Sequence, residues 1–286
     1  MKIKRLGLAV NIFKADIGDI LNRIIDLIPG DVDIVGMEEI SGLVSVDRVG
    51  FVDSYKNCDV VVSLGGDGTL LRAARMVEKE EIPLMGVKIR SLGFLTEDDP
   101  EGAIRGLFEG DYMIQDRMRL DVSFSSENKA KERFSALNDI VLHGVGLSRV
   151  IHLRTSLDGT MVGEYLADGV IIATPTGSTA YSLAAGGPIL NPVTMQSMII
   201  TPLCPHSLSV RPVVVDSLES LEIEVVEKDQ GTMLTIDGQR VCSLATGEKI
   251  FVKKSEKVTK LVTRRSYNFY ELVRKKLKWG GVLRKH

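Results

Sequence analysis

The chain has 286 residues, 44% hydrophobic and 26% charged, enough for one large or two ordinary globular domains. A formal net charge of −2 supplies no basic field for nucleic acid, and no apolar run approaches the ~20 residues of a membrane helix. Cys58, Cys204 and Cys242 form no CxxC pair, and the four histidines show no ligand spacing, so neither a disulfide framework nor a protein-built metal site is expected.

The start, MKIKRLGLAVN, reads as a first strand over 6–10 and not as a signal peptide. Together with the cysteine usage this gives a cytoplasmic expectation. Apolar residues at Ile17, Ile20, Leu21, Ile24, Ile25 and Leu27 give a helical stripe, stopped by Pro29-Gly30. Strands are expected over 32–35, 60–63 and 83–87. Between the last two, Leu70, Ala73, Ala74 and Val77 share one helical face. Alternating strands and helices predict a parallel sheet, hence an N-terminal α/β domain.

The pattern changes after about Tyr112. LDVSFS (120–125) and LEIEVV (221–226) alternate, with Glu222 and Glu224 facing out. Asp158-Gly159 and Asp237-Gly238 each sit between strand-like runs, the hairpin signal of a type I′ turn. An antiparallel all-β domain is therefore expected to follow. The end returns to helix: Asn268 and Glu271 resemble a capping box before FYELVRKKLKW, and Gly280-Gly281 would end it. The cations Arg274, Lys275, Lys276 and Lys278 then lie where they offset the helix dipole.

The stretch VVVSLGGDGTLLRAARM (60–76) carries the first chemical signal. Gly65, Gly66, Gly68 and Thr69 place backbone N–H groups at a strand-to-helix turn, a ready anion site. It has neither the GxxxxGK of a P-loop nor a full GxGxxG. Asp67 in such a cradle leaves three readings open: a ligand for nucleotide-borne Mg²⁺, a base for an attacking hydroxyl, or a cap for the following helix.

SLGGDGTLL together with DGVIIATPTGSTAYSLAAGGPIL (168–190) resembles the NAD kinase family, as do ALNDIVLHG (136–144), LTIDGQ (234–239) and NFYELVRKKLKWG (268–280). GGDGT is shared with lipid and sugar-phosphate kinases; the GSTAY block is more specific. The resemblance implies transfer of a phosphoryl group from ATP, or polyphosphate, to the adenosine ribose 2′-hydroxyl of NAD. It implies a Rossmann-like α/β domain (1–112), a β-sandwich domain holding the dinucleotide (113–262), and a C-terminal segment (263–286) returning to the α/β domain. It also implies Mg²⁺ carried by ATP, and a homodimer or homotetramer.

By the same resemblance Asp67 is the base for the 2′-hydroxyl, with Gly65, Gly66, Gly68 and Thr69 on phosphates. Gly68, Asn138, Asp139, Asp168, Thr176, Thr179, Ala180 and Tyr181 are dinucleotide contacts. Thr174, Ser178 and Ser182 add small hydroxyls, and Gly177 lets the backbone approach a flat ligand. Asp139 stands where the family has Glu, one methylene longer. In GVKIRSLGFL (86–95), Lys88 and Arg90 stand where the family commonly has Asn and Gly, and are assigned here to donor phosphates. The competing functions are a non-catalytic NAD-binding regulator and a GGDGT-type lipid kinase.

Overall fold

In the computed structural model the described residues are 2–14, 16–44, 47–89, 93–125, 133–146, 149–228 and 231–279. The chain divides into two units, Met1–Asp116 with Thr259–His286, and Arg117–Val258.

The first unit begins β1 (Arg5–Val10), α1 (Ile17–Asp26), β2 (Asp33–Gly36) and β3 (Gly50–Phe51). It continues β4 (Val60–Gly65), α2 (Asp67–Met76), β5 (Leu84–Lys88) and α3 (Pro100–Glu109). The strands pair in parallel, in the order β5-β4-β1-β2-β3. Their runs are buried on both faces, as a sheet flanked by helices requires. Ile17, Leu21, Ile24 and Ile25 of α1 are buried in a core with Leu6, Leu8, Val60 and Val62. Each such side chain contributes about 1.5–3 kcal/mol on burial. The chain order reverses between β1, which leads to β2, and β4, which lies on its other side. That is the topological switch point at whose carboxyl edge open α/β sheets bind ligands. The Gly65–Asp67 turn follows β4 there.

Helix α3 was not anticipated, although its signals are present. Asp99 caps it through Gly102 N–H at 3.0 Å, Pro100 opens it, and Gly110 ends it at φ 81°.

Strand β6 (Tyr112–Phe124) begins in the first unit and continues from Arg117 in the second, which goes on with β7 (Phe134–Ala136), β8 (Asp139–Gly144), β9 (Ile151–Leu157), β10 (Thr160–Ala167) and β11 (Gly169–Ala173). There follow α4 (Tyr181–Ala184), β12 (Ser197–Leu203), β13 (Val213–Asp216), β14 (Leu221–Lys228), β15 (Thr232–Ile236) and β16 (Arg240–Leu244). The start of β17 (Lys249–Arg264) belongs here, and its end pairs with β5 in the first unit. One antiparallel layer has the order β10-β9-β14-β17 and the other β13-β12-β11-β8-β15-β16. Leu120, Leu153, Ile223 and Val252 meet Ile140, Val170, Met198 and Leu234 in one core, which makes the unit a β-sandwich. Alternate residues Val141, Ile171 and Ile199 face the other way, under Leu190. Both expected Asp-Gly turns form, with φ of 46° and 80° at 158–159 and 49° and 63° at 237–238.

Helix α5 (Phe269–Leu277) belongs to the first unit. Asn268 caps it through the N–H groups of Tyr270 and Glu271, at 3.0 and 3.2 Å. The expected stop at Gly280-Gly281 is corrected: the helix ends at Leu277, where Lys278 takes a left-handed φ of 56°. The two glycines lie outside the described residues.

Candidate functional site

In the first unit Gly66 is the N-cap of α2, with extended backbone and no side-chain cap. Asp67 is the first helical residue, and its carboxylate turns away from helix capping. Oδ2 accepts the Phe94 N–H at 2.7 Å and Oδ1 the Leu95 N–H at 3.2 Å, with Thr96 Oγ1 at 3.4 Å. The capping alternative for Asp67 is therefore not realised in this geometry. A Cβ on Gly93 would strike the Asp67 carboxylate, which explains the glycine of the GFL stretch: the loop must close on the acid.

Burial raises the Asp67 pKa. The amides of Phe94 and Leu95, the Lys276 ammonium and the Thr96 hydroxyl offset this only in part, so it stays above the usual carboxylate range. A half-buried carboxylate with a raised pKa is a stronger base than a solvated one, which is what abstraction of a hydroxyl proton needs. Thr69 is buried and Gly68 exposed at the start of the helix.

Lys88 reaches Asp98, Nζ to Oδ1 3.2 Å, and is half-buried. Arg90 lies outside the described residues. The cations of α5 are more than dipole partners: Lys275 and Lys276 donate to Asp98 at 2.7 and 3.0 Å.

In the second unit Asp139 opens β8, Asn138 immediately precedes it, and both are buried. The segment is fastened by Asp237, which sequence reasoning treated only as a turn residue. Its carboxylate accepts the N–H groups of Leu137, Asn138 and Asp139 at 3.0, 2.7 and 3.2 Å. Asp139 lies beside this second acid. Burial, then the Asp237 charge, push its pKa up to about 7, against the Tyr181 N–H that lowers it. Among the described residues Asn138 Oδ1 is buried without a hydrogen-bond partner. An orphan acceptor of this kind costs about 1–3 kcal/mol unless a donor reaches it.

The turn at 174–181 packs against this segment. Thr174 Oγ1 donates to Leu137 O at 2.6 Å and accepts the Gly177 N–H at 3.0 Å. Ser178 Oγ bonds Pro175 O at 2.7 Å, and Ser182 Oγ meets Thr201 Oγ1 at 3.0 Å. These hydroxyls are buried and their hydrogen bonds lock the turn from within. Gly177 has a packing reason of its own. A Cβ there would run into the Asn138 carbonyl, so its smallness serves the crossing of two chain segments. Thr176 is buried, Thr179 and Ala180 half-buried, and Tyr181 exposed.

Asn138, Asp139, Thr176, Thr179, Ala180 and Tyr181 are thus gathered at one end of β8 and β11. Asp168 is not with them. Ala173 is in register with Asp139, whereas Asp168 precedes the first residue of β11. At ~3.3 Å per residue it lies about 16 Å along the strand from Ala173.

Residues 47–112 match the family model "ATP-NAD kinase N-terminal domain", and residues 137–264 match "ATP-NAD kinase C-terminal domain". The NAD kinase of Geobacter sulfurreducens is 42% identical over 225 residues, covering 78% of this chain and 79% of that protein. The NAD kinase of Thermoanaerobacter pseudethanolicus is 37% identical over 281 residues, covering 96% and 99%. In fold, the chain is similar to yeast NADH kinase, crystallised with NADH, with TM-score 0.90, 22% identity, and coverage of 99% of this chain and 90% of that one. It is also similar to an NAD kinase from Archaeoglobus fulgidus in complex with ATP, with TM-score 0.68, 24% identity, and coverage of 96% and 98%. Identity and coverage of this extent to curated relatives mean that the chain belongs to the NAD kinase family.

Proposed function

We propose that this NAD kinase transfers the γ-phosphoryl group of ATP to the 2′-hydroxyl of the adenosine ribose of NAD, giving NADP and ADP. In this reading Asp67 takes the hydroxyl proton as the new P–O bond forms, and removal of that proton contributes roughly 10²–10⁴ in rate. The N–H groups around Gly65, Gly66, Gly68 and Thr69 hold the donor phosphates, with Lys88 and Arg90 adding positive charge.

The dinucleotide is held by Asn138, Asp139, Thr176, Thr179, Ala180 and Tyr181. The observation that carries this is Asn138 Oδ1, a buried acceptor with no hydrogen-bond partner among the described residues, suited to a ribose hydroxyl or an exocyclic amine. Mg²⁺ arrives on the ATP phosphates and offsets their charge. Among the described residues no group of three or more His, Cys, Asp or Glu side chains is placed to hold a metal. Polyphosphate is the alternative donor.

We also propose a cytoplasmic homodimer or homotetramer. Asp168, at the other end of β11 from the Asn138 cluster, serves the nicotinamide end of the dinucleotide. No described helix is long and apolar enough to cross a membrane. Light scattering on the purified protein tests the assembly; a monodisperse monomer would refute it.

The test of the activity is purified protein with Mg²⁺, NAD and either donor, followed by an NADP-specific readout. NADP formation is expected. NAD binding without NADP would favour the regulator, and phosphorylation of a lipid in preference to NAD would favour the lipid kinase.

A further inference from the structure

The C-terminal helix places one lysine where an exposed amphipathic helix would not. The Lys276 side chain is 1% exposed, with its Nζ 3.0 Å from Asp98 Oδ1. Burying an ammonium is costly unless it is paired, so this group is held by design of the surrounding contacts. Asp98 also takes Lys275 at 2.7 Å and Lys88 at 3.2 Å. The charged groups facing one another therefore come from four elements: Asp67 from α2, Lys88 from β5, Asp98 from the loop at 93–99, and Lys275 and Lys276 from α5.

Burial alone would raise the Asp98 pKa. The three ammonium groups outweigh it and hold the carboxyl well below the usual carboxylate range. The acid is thus ionised wherever the enzyme works.

The same loop presents its other end to the base. The N–H groups of Phe94 and Leu95 grip the Asp67 carboxylate, and Asp98 stands three residues beyond Leu95. The loop is anchored to α5 at one end and delivers hydrogen bonds to Asp67 at the other. A cleft of about 360 Å³ separates much of the loop from α5, lined by Phe94, Thr96, Asp98, Tyr267, Leu272 and Lys275. Across that space the lysine contacts to Asp98 tie the loop to the helix, while the backbone of Glu97 bonds Gly86 and Lys88 at 2.8 and 3.0 Å and Arg264 pairs with Asp99 at 2.9 Å.

We propose that Lys276 is a positioning residue for phosphoryl transfer: through Asp98 it fixes the loop whose amides orient the Asp67 carboxylate. The inference rests on the reading of Asp67 as the base. Its ammonium also acts directly on Asp67, favouring the ionised form. The loop supplies orientation; the lysine supplies both the anchor and part of the field.

The test compares Lys276→Met, Lys276→Arg and Asp98→Asn with the parent chain, in kcat, KM for NAD, melting temperature and the pH dependence of kcat/KM. Lys276→Met is expected to lower kcat roughly ten- to a hundredfold, the scale of a misplaced catalytic group, with KM for NAD within about twofold. Its acid limb should move to higher pH, because a cation near the base is lost. Lys276→Arg should recover part of kcat. Asp98→Asn should also lower kcat, but its acid limb should move to lower pH, because an anion is lost.

Opposite movements of the limb cannot come from general loosening. A folded Lys276→Met with parental kcat and an unmoved limb would overturn the proposal. So would a lowered melting temperature with the limb unmoved. If Lys276→Met does not fold, Asp98→Asn decides: parental kcat and limb there overturn it equally. Asp67→Asn is assayed alongside. Parental turnover in that variant fails the reading of Asp67 as the base. Parental turnover in Lys276→Met with Asp67→Asn inactive fails only the present inference.

Discussion

Asp237 Oδ1 accepts the backbone N–H of Asn138 at 2.7 Å, across 99 residues of sequence. A turn aspartate of one hairpin thereby fixes the first residues of another strand. With Leu137 and Asp139 also donating, one carboxylate satisfies three N–H groups. Asp237→Ala should leave these buried donors unmet and lower stability by about 3 kcal/mol. If NAD is held by this segment, its Kd should rise roughly tenfold, a loss of ~1.4 kcal/mol of binding. Thermal unfolding and calorimetry with NAD check the two halves separately.

The pair of acids gives a signed pH dependence. The folded pKa of Asp139 is raised to about 7, above its unfolded value. Between those two values the folded protein holds a proton that the unfolded chain has released. Stability from this group is therefore full below the unfolded pKa and is lost as pH rises to about 7, after which it no longer changes. Asp139→Asn should remove that slope. Melting temperatures from pH 5 to 8 for both proteins measure it, and equal slopes would refute the assignment.

Gly177 makes a steric prediction. Gly177→Ala pushes a methyl group into the Asn138 carbonyl, which is backbone and cannot turn aside. Overpacking of this kind costs about 1–3 kcal/mol, and here it would displace Asn138 itself. A lower melting temperature together with weakened NAD binding is expected. Unchanged values in both would mean that the turn relaxes freely.

Much of the architecture was legible because it rests on local signals. The strand over 60–63 was visible as a buried apolar run, and it extends to Gly65. The two Asp-Gly turns were visible because only a few residue types tolerate the backbone they require. The Asn268 cap was visible as a polar residue with an acid three positions on. What was not legible depends on contacts distant in sequence. Nothing near Asp237 announces that it meets 137–139, and nothing near Lys276 announces Asp98. The hydroxyls of Thr174, Ser178 and Ser182 illustrate the same limit, since composition cannot tell a lock from a ligand contact. Asp67 lay between these cases. The turn was plain, but the loop amides that hold its carboxylate come from 27 and 28 residues away.

The most direct measurement is steady-state turnover of Asp67→Asn beside its affinity for NAD. The substitution preserves shape and removes the charge that would accept the proton. The account predicts kcat lower by about two or more orders of magnitude with the fold intact and NAD affinity within about threefold. Turnover matching the parent chain would contradict it, leaving Asp67 as a residue that shapes the turn and nothing more.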